Sequence, residues 1–279
     1  MKRIFIITAL IVISISGWSQ NWGKLLQLPD FKSGKPVWII RAGIGFNNVT
    51  GSAIDTQNSQ WDKSKYDGNF KANVGYIFTV GFNKSFGNHP LYWGMELGLG
   101  VRGYKTHAVK DSRIEYDLGN MSGNHYIVNT ADETLTCYNA QISPFTIGYK
   151  YSFLERMAID IHVGAYASYD FAGKDKIYTS KESHYSGTAG NNDKFEEKEN
   201  SIKISDMDHL HKYDAGLNIG IGYWFGRFNV DLTYQRGFIP LFKGGDEMVD
   251  IGGKGKKGDQ REKGNFFSSN FQLRLGYAF

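Results

Sequence analysis

A single cysteine, Cys137, in 279 residues excludes a disulfide framework and a thiolate metal cluster. Beyond residue 17 no apolar run approaches the roughly 18 to 20 residues that a membrane-spanning helix needs, so a polytopic helical membrane protein is excluded too. Nor does one sign of charge dominate. The chain carries 32 basic and 28 acidic residues, a formal net charge of +4, without the clustered basic face of a nucleic-acid binder; no nucleic-acid partner is expected. The length suits one ordinary domain or two small ones.

What is present begins with an export signature. Lys2 and Arg3 precede the apolar stretch 4–15, which runs into Ser16, Gly17, Trp18, Ser19 and Gln20. Charged, apolar and small residues follow one another in the order of a secretory signal peptide. Cleavage is expected after Ser19, giving a signal peptide over 1–19, a short periplasmic segment over 20–36 and a barrel domain over 37–279. Loss of Lys2 and Arg3, with no Asp or Glu in 1–19, lowers the charge from +4 to +2. No cysteine stands at the cut, which argues against a lipid-anchored protein.

From residue 37 onward the apolar residues alternate. Over 91–102, Leu91, Trp93, Met95, Leu97, Leu99 and Val101 alternate with Tyr92, Gly94, Glu96, Gly98, Gly100 and Arg102. A period of two places the large apolar groups on one face of a strand. The same pattern recurs over 70–82, 157–171 and 213–225, and more weakly over 37–46, 228–238 and 267–279. In 134–153, Tyr138, Ala140 and Ile142 keep one phase and Phe145, Ile147, Tyr149 and Tyr151 the opposite one. A bulge at Ser143 and Pro144 reconciles them, since proline cannot donate to the ladder. That makes eight strands.

The intervening segments alternate between long and short: 47–69, 84–90, 106–134, 154–156, 172–212, 226–227 and 239–266. A transmembrane barrel with both chain ends in the periplasm sorts its turns this way, whereas a soluble sandwich or lipocalin meets the same solvent at both ends. The long segments are rich in Gly, Asn, Ser and charged residues, as in Lys194 to Glu199 and Gly252 to Lys257, and are expected to be solvated, mobile extracellular loops. Seven Lys face eight acidic residues in 172–212, and six basic face five acidic in 240–265. Neither balance names a partner.

Aromatics gather where such strands would cross the membrane boundaries. Trp38, Phe82, Trp93, Tyr149, Tyr151, Tyr223, Phe225, Phe228 and Phe279 are expected at the periplasmic boundary. Phe46, Phe70, Tyr138, Tyr169, Phe171, Tyr213, Tyr234 and Phe267 are expected at the outer one, forming two girdles at the headgroup level. The opposite face is small and polar. There Arg41, Lys71, Glu96, Arg102, Asp160, Asp214, Arg227, Asp231 and Arg274 fall in phase with glycines, an expected interior network of five positive and four negative groups. Eight strands enclose a space about wide enough for their own side chains. Unpaired ions there are costly, so these charges are expected to pair and to plug the lumen.

The chain ends on Gly276, Tyr277, Ala278 and Phe279, with Tyr277 and Phe279 in the lipid-facing phase of Phe271, Leu273 and Leu275. This looks like the C-terminal insertion signal that the barrel assembly machinery reads. The residues also resemble the outer-membrane β-barrel domain family widespread in Bacteroidetes, which includes the PorT-like proteins. Tyr138 to Tyr151 (YNAQISPFTIGYKY) resembles that family's strand with a central Ile-x-Pro and a closing Lys-Tyr. Val163 to Lys174 (VGAYASYDFAGK) is similar to its Gly-x-Tyr strand ending in Gly-Lys, and Tyr213 to Leu241 resembles its Asp-x-Gly, Gly-x-Gly-Tyr and Tyr-x-x-Gly run. Ser143 before Pro144 and the long 172–212 segment depart from the commoner pattern. The resemblance implies no catalytic residues and a role in secretion or surface assembly.

Three groups of residues carry side chains or backbone suited to chemistry. Asp160, His162 and Ser168 share the inward face of one strand, but six residues separate 162 from 168, about 20 Å at the usual rise, too far for a nucleophile and its base. His162 is expected to be an interior hydrogen-bonding residue. Asp206, Asp208, His209 and His211 put two histidines on one face of an extended segment, with no third ligand in register. The Gly-x-Gly pairs sit within strands with no helix following, unlike phosphate loops. The sequence therefore predicts an all-β protein, an eight-stranded antiparallel up-and-down transmembrane β-barrel in outer-membrane lipid, with no cofactor, no metal and no enzyme chemistry. Its expected work is as a membrane scaffold or an accessory to secretion or surface assembly, meeting partners through its outer loops; the alternative is a small-solute transporter with a narrow porin-like channel.

Overall fold

The computed structural model of the chain describes residues 26–31, 33–63, 65–117, 122–187, 192–243 and 265–279. The expected signal peptide and the Gly252 to Lys257 run lie outside them. Among the described residues, ten strands, one α-helix and a short 3-10 helix (Ile204–Asp206) follow, the strands and α-helix in the order β1 (Val37–Thr50), α1 (Ser52–Lys63), β2 (Asp67–Lys71), β3 (Asn73–Ser85), β4 (Leu91–Asp117), β5 (Ser122–Leu154), β6 (Met157–Gly187), β7 (Asn192–Lys203), β8 (Tyr213–Phe225), β9 (Phe228–Pro240) and β10 (Phe267–Ala278). Eight of the strands, β1, β3, β4, β5, β6, β8, β9 and β10, pair antiparallel with their neighbours. β1 closes on β10 from Ile39↔Ala278 to Thr50↔Phe267. This is an up-and-down barrel with no free edge around its girth, the condition for a sheet that meets hydrocarbon.

The alternation seen in the sequence sorts the two faces. Val74, Tyr76, Leu99, Ile161, Ile219 and Leu275 all stand outward and exposed, Leu275 by 65%. With their neighbours they form a belt far larger than the few hundred Å² of apolar patch that a soluble monomer shows. On β5 the bulge falls at Ser143 and Pro144: Ile142 pairs with Ala167 and Phe145 with Ala165, three steps on one strand against two on the other. The tight turns 86–90, 155–156 and 226–227 all lie at the end that holds the C-terminus. Gly226, with φ 58°, opens the two-residue turn between Phe225 and Phe228, a primed hairpin that needs a residue free to take positive φ.

At the other end, among the described residues, the segments 47–69, 106–134 and 172–212 form regular elements instead of irregular loops, and most of 239–266 lies outside the described residues. β4 and β5 remain paired out to Asp117↔Ser122, β5 and β6 out to Gly123↔Gly187, and β7 joins β6 from Lys174↔Lys203 to Tyr185↔Asn192. β2 joins the far side of β4 from Asp67↔Val109 to Lys71↔Lys105. The result is a raised wall, β2-β4-β5-β6-β7, and the Lys194 to Glu199 run lies within β7. The 47–69 segment likewise contains α1 and β2 rather than an open loop.

Two apolar clusters sit on the inner side, one at each end. Tyr104, Leu135, Cys137, Ile204, Met207, Leu210, Leu241, Phe242 and Phe266 pack into a cap at the raised end, with Ile54 of α1 and Phe70 of β2 against it. Trp224, Val37, Ile39, Ala158 and Ala278 form a smaller cluster at the tight-turn end, covered by Leu28 and Phe31 of the N-terminal segment. Phe70 is thus not a member of the outer girdle. Ala72 lies between β2 and β3, the phase changes there, and Phe70 turns inward to lie 6.0 Å from the Tyr104 ring and 5.6 Å from that of Phe266.

Candidate functional site: the sealed lumen

Small inward residues set the room available. A Cβ on Gly220 would run into the His162 ring, one on Gly148 into the Tyr92 ring, and one on Gly222 into the Asp160 carboxylate. Glycines on one strand therefore make space for large polar groups on the next, which is why the inward phase reads as Gly alternating with charge.

The large groups form two knots. In the first, Glu96 of β4 receives two arginines across the lumen, Arg41 of β1 and Arg274 of β10, the latter at 3.0 Å. Arg274 also grips Asp231 at 2.6 Å, and Thr233 donates to Asp231 at 2.7 Å. Arg41 Nε donates to Asn229 at 3.1 Å. His162 stands between two carboxylates, with Nδ1 2.9 Å from Asp160 and Nε2 3.6 Å from Asp231. Asp160 receives Tyr92 Oη at 3.1 Å and the Trp224 indole N–H as well. In the second knot Arg102 holds Asp170 through Nε at 2.8 Å and Nη2 at 2.6 Å, donates to the His211 carbonyl at 2.7 Å, and faces Asp214 at 3.6 Å. Tyr166 donates to Asp214 at 3.0 Å. Such charge-assisted, partly bidentate pairs are the form in which buried ions are tolerated.

Seven of the nine residues singled out in the sequence, Arg41, Glu96, Arg102, Asp160, Asp214, Asp231 and Arg274, come together here. Two do not. Lys71 is exposed, because the phase break at Ala72 turns it outward. Arg227 sits in the β8–β9 turn, where Nη1 lies 3.4 Å from the Ala278 carbonyl. Asp170, His162 and Lys150 belong to the interior and were not among the nine, although each lies in the inward phase of its strand. The balance is consequently three arginines and Lys150 against five carboxylates, not five positive groups against four. The histidines of 206–211 are absorbed by the cap: His209 stacks on Phe242 with ring centroids 5.8 Å apart, and His211 Nδ1 lies 2.6 Å from the Pro240 carbonyl.

The space beside the knots is small. Two cavities of about 20 Å³ each flank the knots, one beside Arg41, Glu96 and Arg274 and the other beside Arg102 and Asp214. Each is the size of one water molecule. Above them, beyond Tyr138 and Phe171 of the outer girdle, the cap holds a buried acidic pair. Burial raises the Glu133 carboxyl to about 8, the nearby Asp175 charge adds to this, and the 2.6 Å hydrogen bond from Tyr104 opposes it. Burial raises Asp175 as well.

A family model described as "Outer membrane protein beta-barrel domain" matches residues 36–243, more than half of the chain. No curated protein matches. Among solved structures, Ail, the attachment invasion locus protein of Yersinia pestis, is 11% identical, with 88% of this chain covering 99% of that one at a TM-score of 0.28. Neisserial surface protein A is 10% identical, with coverages of 87% and 97% and a TM-score of 0.31. OprG from Pseudomonas aeruginosa is 9% identical, with coverages of 90% and 99% and a TM-score of 0.28. These likenesses are distant, and the ligands and partners of those proteins do not transfer to this chain.

Proposed function

We propose a function from one premise: the chain belongs to the outer membrane protein beta-barrel domain family. It acts as a closed scaffold of the outer membrane, embedded in its lipid, that holds a five-stranded wall outside the cell for a surface or secretion partner and carries out no enzyme chemistry. The observation that carries this reading is the filled lumen. Arginine–carboxylate knots occupy the middle, an apolar cluster lies across each end, and the cavities beside the knots hold about 20 Å³ each. A selective conduit needs a continuous polar path whose sites bind weakly enough to release, and charges gripped in pairs act instead as internal struts.

The N-terminal 1–19 segment serves export, and the C-terminal strand serves insertion. Phe279 N–H donates to the Trp38 carbonyl at 2.9 Å, and Tyr277 packs between Phe228 and Phe279, the aromatic ending that the barrel assembly machinery would read. Kinship with the PorT-like proteins of Bacteroidetes would make the partner a component of secretion or surface assembly. Conductance of the refolded protein in a planar bilayer tests the reading. Stable insertion without current steps is expected. Reproducible ion-selective steps would overturn the closed scaffold in favour of a small-solute transporter, and Glu96→Ala or Arg102→Ala would then change the selectivity.

A further inference from the structure

At the periplasmic rim, between the β3–β4 turn and the end of β5, lies a hollow of about 270 Å³, more than ten times either cavity in the lumen. Its lining includes Lys150 and His89 and, among the described residues, no Asp or Glu. Three of its side chains present buried donors with no hydrogen-bond partner: Lys150 Nζ, Asn83 Nδ2 and Ser85 Oγ. Donors left unpaired on one wall are expensive unless something accepts from them.

Lys150 is the most exposed to that cost. Its ammonium lies against aromatic rings, with Phe31 at 3.1 Å, Trp224 at 3.9 Å and Tyr92 at 5.2 Å from Nζ to the ring centroids. The cross-strand neighbour Asp160 is already engaged by Tyr92, His162 and Trp224. Among the described residues no carboxylate lies within the 4.0 Å of an ion pair to Lys150. Cation–π contacts attract an ammonium but supply no acceptor for its three N–H groups. Tyr149 and Tyr151 also line the hollow and stand outward, exposed by 49% and 60%, which sets its mouth at the headgroup level of the inner leaflet.

We propose that this hollow is a phosphate-binding site in which Lys150 Nζ, Asn83 Nδ2 and Ser85 Oγ donate to the phosphate oxygens. The Phe31 ring, which now covers Nζ, is displaced when phosphate enters. One ammonium and two neutral donors suit the negative charge and the acceptor oxygens of a phosphate, and among the described residues no Asp or Glu lines the hollow. A phospholipid headgroup of the inner leaflet and a free periplasmic phosphate share this chemistry. The site does not depend on whether the lumen conducts.

Calorimetric titration of the refolded full-length barrel in maltoside micelles separates the two sources, with inorganic phosphate and dihexanoyl phosphatidylglycerol as the probes. Saturable binding of the lipid alone assigns the site to a headgroup, and comparable binding of inorganic phosphate assigns it to the free ion. In either case Lys150→Gln weakens binding at least about tenfold, as loss of a hydrogen bond from a charged donor should. Ser85→Ala and Asn83→Ala weaken it several-fold, and Phe31→Ala strengthens it by removing the competitor. Heat-modifiable gel migration shows that each variant is folded. Absence of saturable binding by both probes, or equal affinity in wild type and a folded Lys150→Gln variant, overturns the site; weaker binding in Phe31→Ala overturns the displacement.

Discussion

The same strands carry opposite chemistry below and above the outer aromatic ring. Below it, β4 turns Leu97 and Leu99 outward and Glu96 and Arg102 inward, and β6 turns Ile161 and Val163 outward and Asp160 inward. Above it, β4 and β5 turn His107 and Asp132 outward, 2.5 Å apart, and Tyr104, Ala108 and Leu135 inward. On β6, Lys176 faces outward to Glu199 of β7 at 2.7 Å. The backbone ladder runs through the boundary unbroken, from Glu96↔Ser143 to Asp117↔Ser122. What changes is the medium on the outer side. In lipid the belt must be apolar and the core may be ionic if every charge is paired; in water the ordinary rule of apolar inside returns.

The comparison can be broken from either side. Asp231→Ala leaves Arg274 and His162 without their shared buried acceptor and should cost about 3–5 kcal/mol, read as a lower urea midpoint for the whole refolded barrel. Leu135→Ala, at the centre of the cap, should cost about 3 kcal/mol, but locally. The raised hairpins become protease-sensitive while the barrel keeps its heat-modifiable migration, and an equal fall in the global midpoint would show that cap and barrel unfold as one unit. Gly220→Val forces a side chain into the His162 ring and should cost about 1–3 kcal/mol, again in the global midpoint.

The cap should also respond to pH. Glu133 is raised in the fold to about 8 by burial, whereas an unfolded glutamate titrates near ~4.3. The folded cap therefore binds protons more tightly than the unfolded chain. Its stability is full below the unfolded value and is lost as pH rises towards 8. Hydrogen exchange of the β4–β5 amides beyond residue 104 should accelerate beyond its intrinsic pH dependence between pH 5 and pH 8.5, and Glu133→Gln should flatten that excess. Least affected is the outer face of the wall: Lys176→Ala removes an exposed ion pair and should leave the urea midpoint unchanged, since such pairs contribute little.

The barrel was legible because lipid on one side and a narrow lumen on the other impose a contrast of two residues' period on every spanning strand. The bulge at Ser143 and Pro144 was legible for the same reason, as a reversal of that contrast. The raised wall was not. Beyond residue 172 the outward residues Lys176, Ser180 and Glu182 alternate with Asp175, Thr179 and Lys181, and Ile177 and Tyr178 fall side by side on opposite faces, so a paired strand reads like a charged loop. Phe70 and Lys71 were misplaced by carrying the phase of 73–82 back through Ala72. For Asp170, His162 and Lys150 the inward phase was in the sequence, but their roles depend on partners from other strands: Arg102 is 68 residues from Asp170. The orphan donors on the periplasmic hollow depend on Phe31 and the β3–β4 turn meeting β5, which no periodicity reports.

One measurement tests the exchange of faces at the outer ring most directly. In a Cys137→Ser background, a polarity-sensitive fluorophore is attached at Ile219→Cys on the outward belt and, separately, at Ser180→Cys on the outward side of the wall, in vesicles with and without brominated phospholipid. The predicted result is blue-shifted emission quenched by bromine at 219, and water-like, unquenched emission at 180. Quenching at 180, or water-like emission at 219, would contradict it.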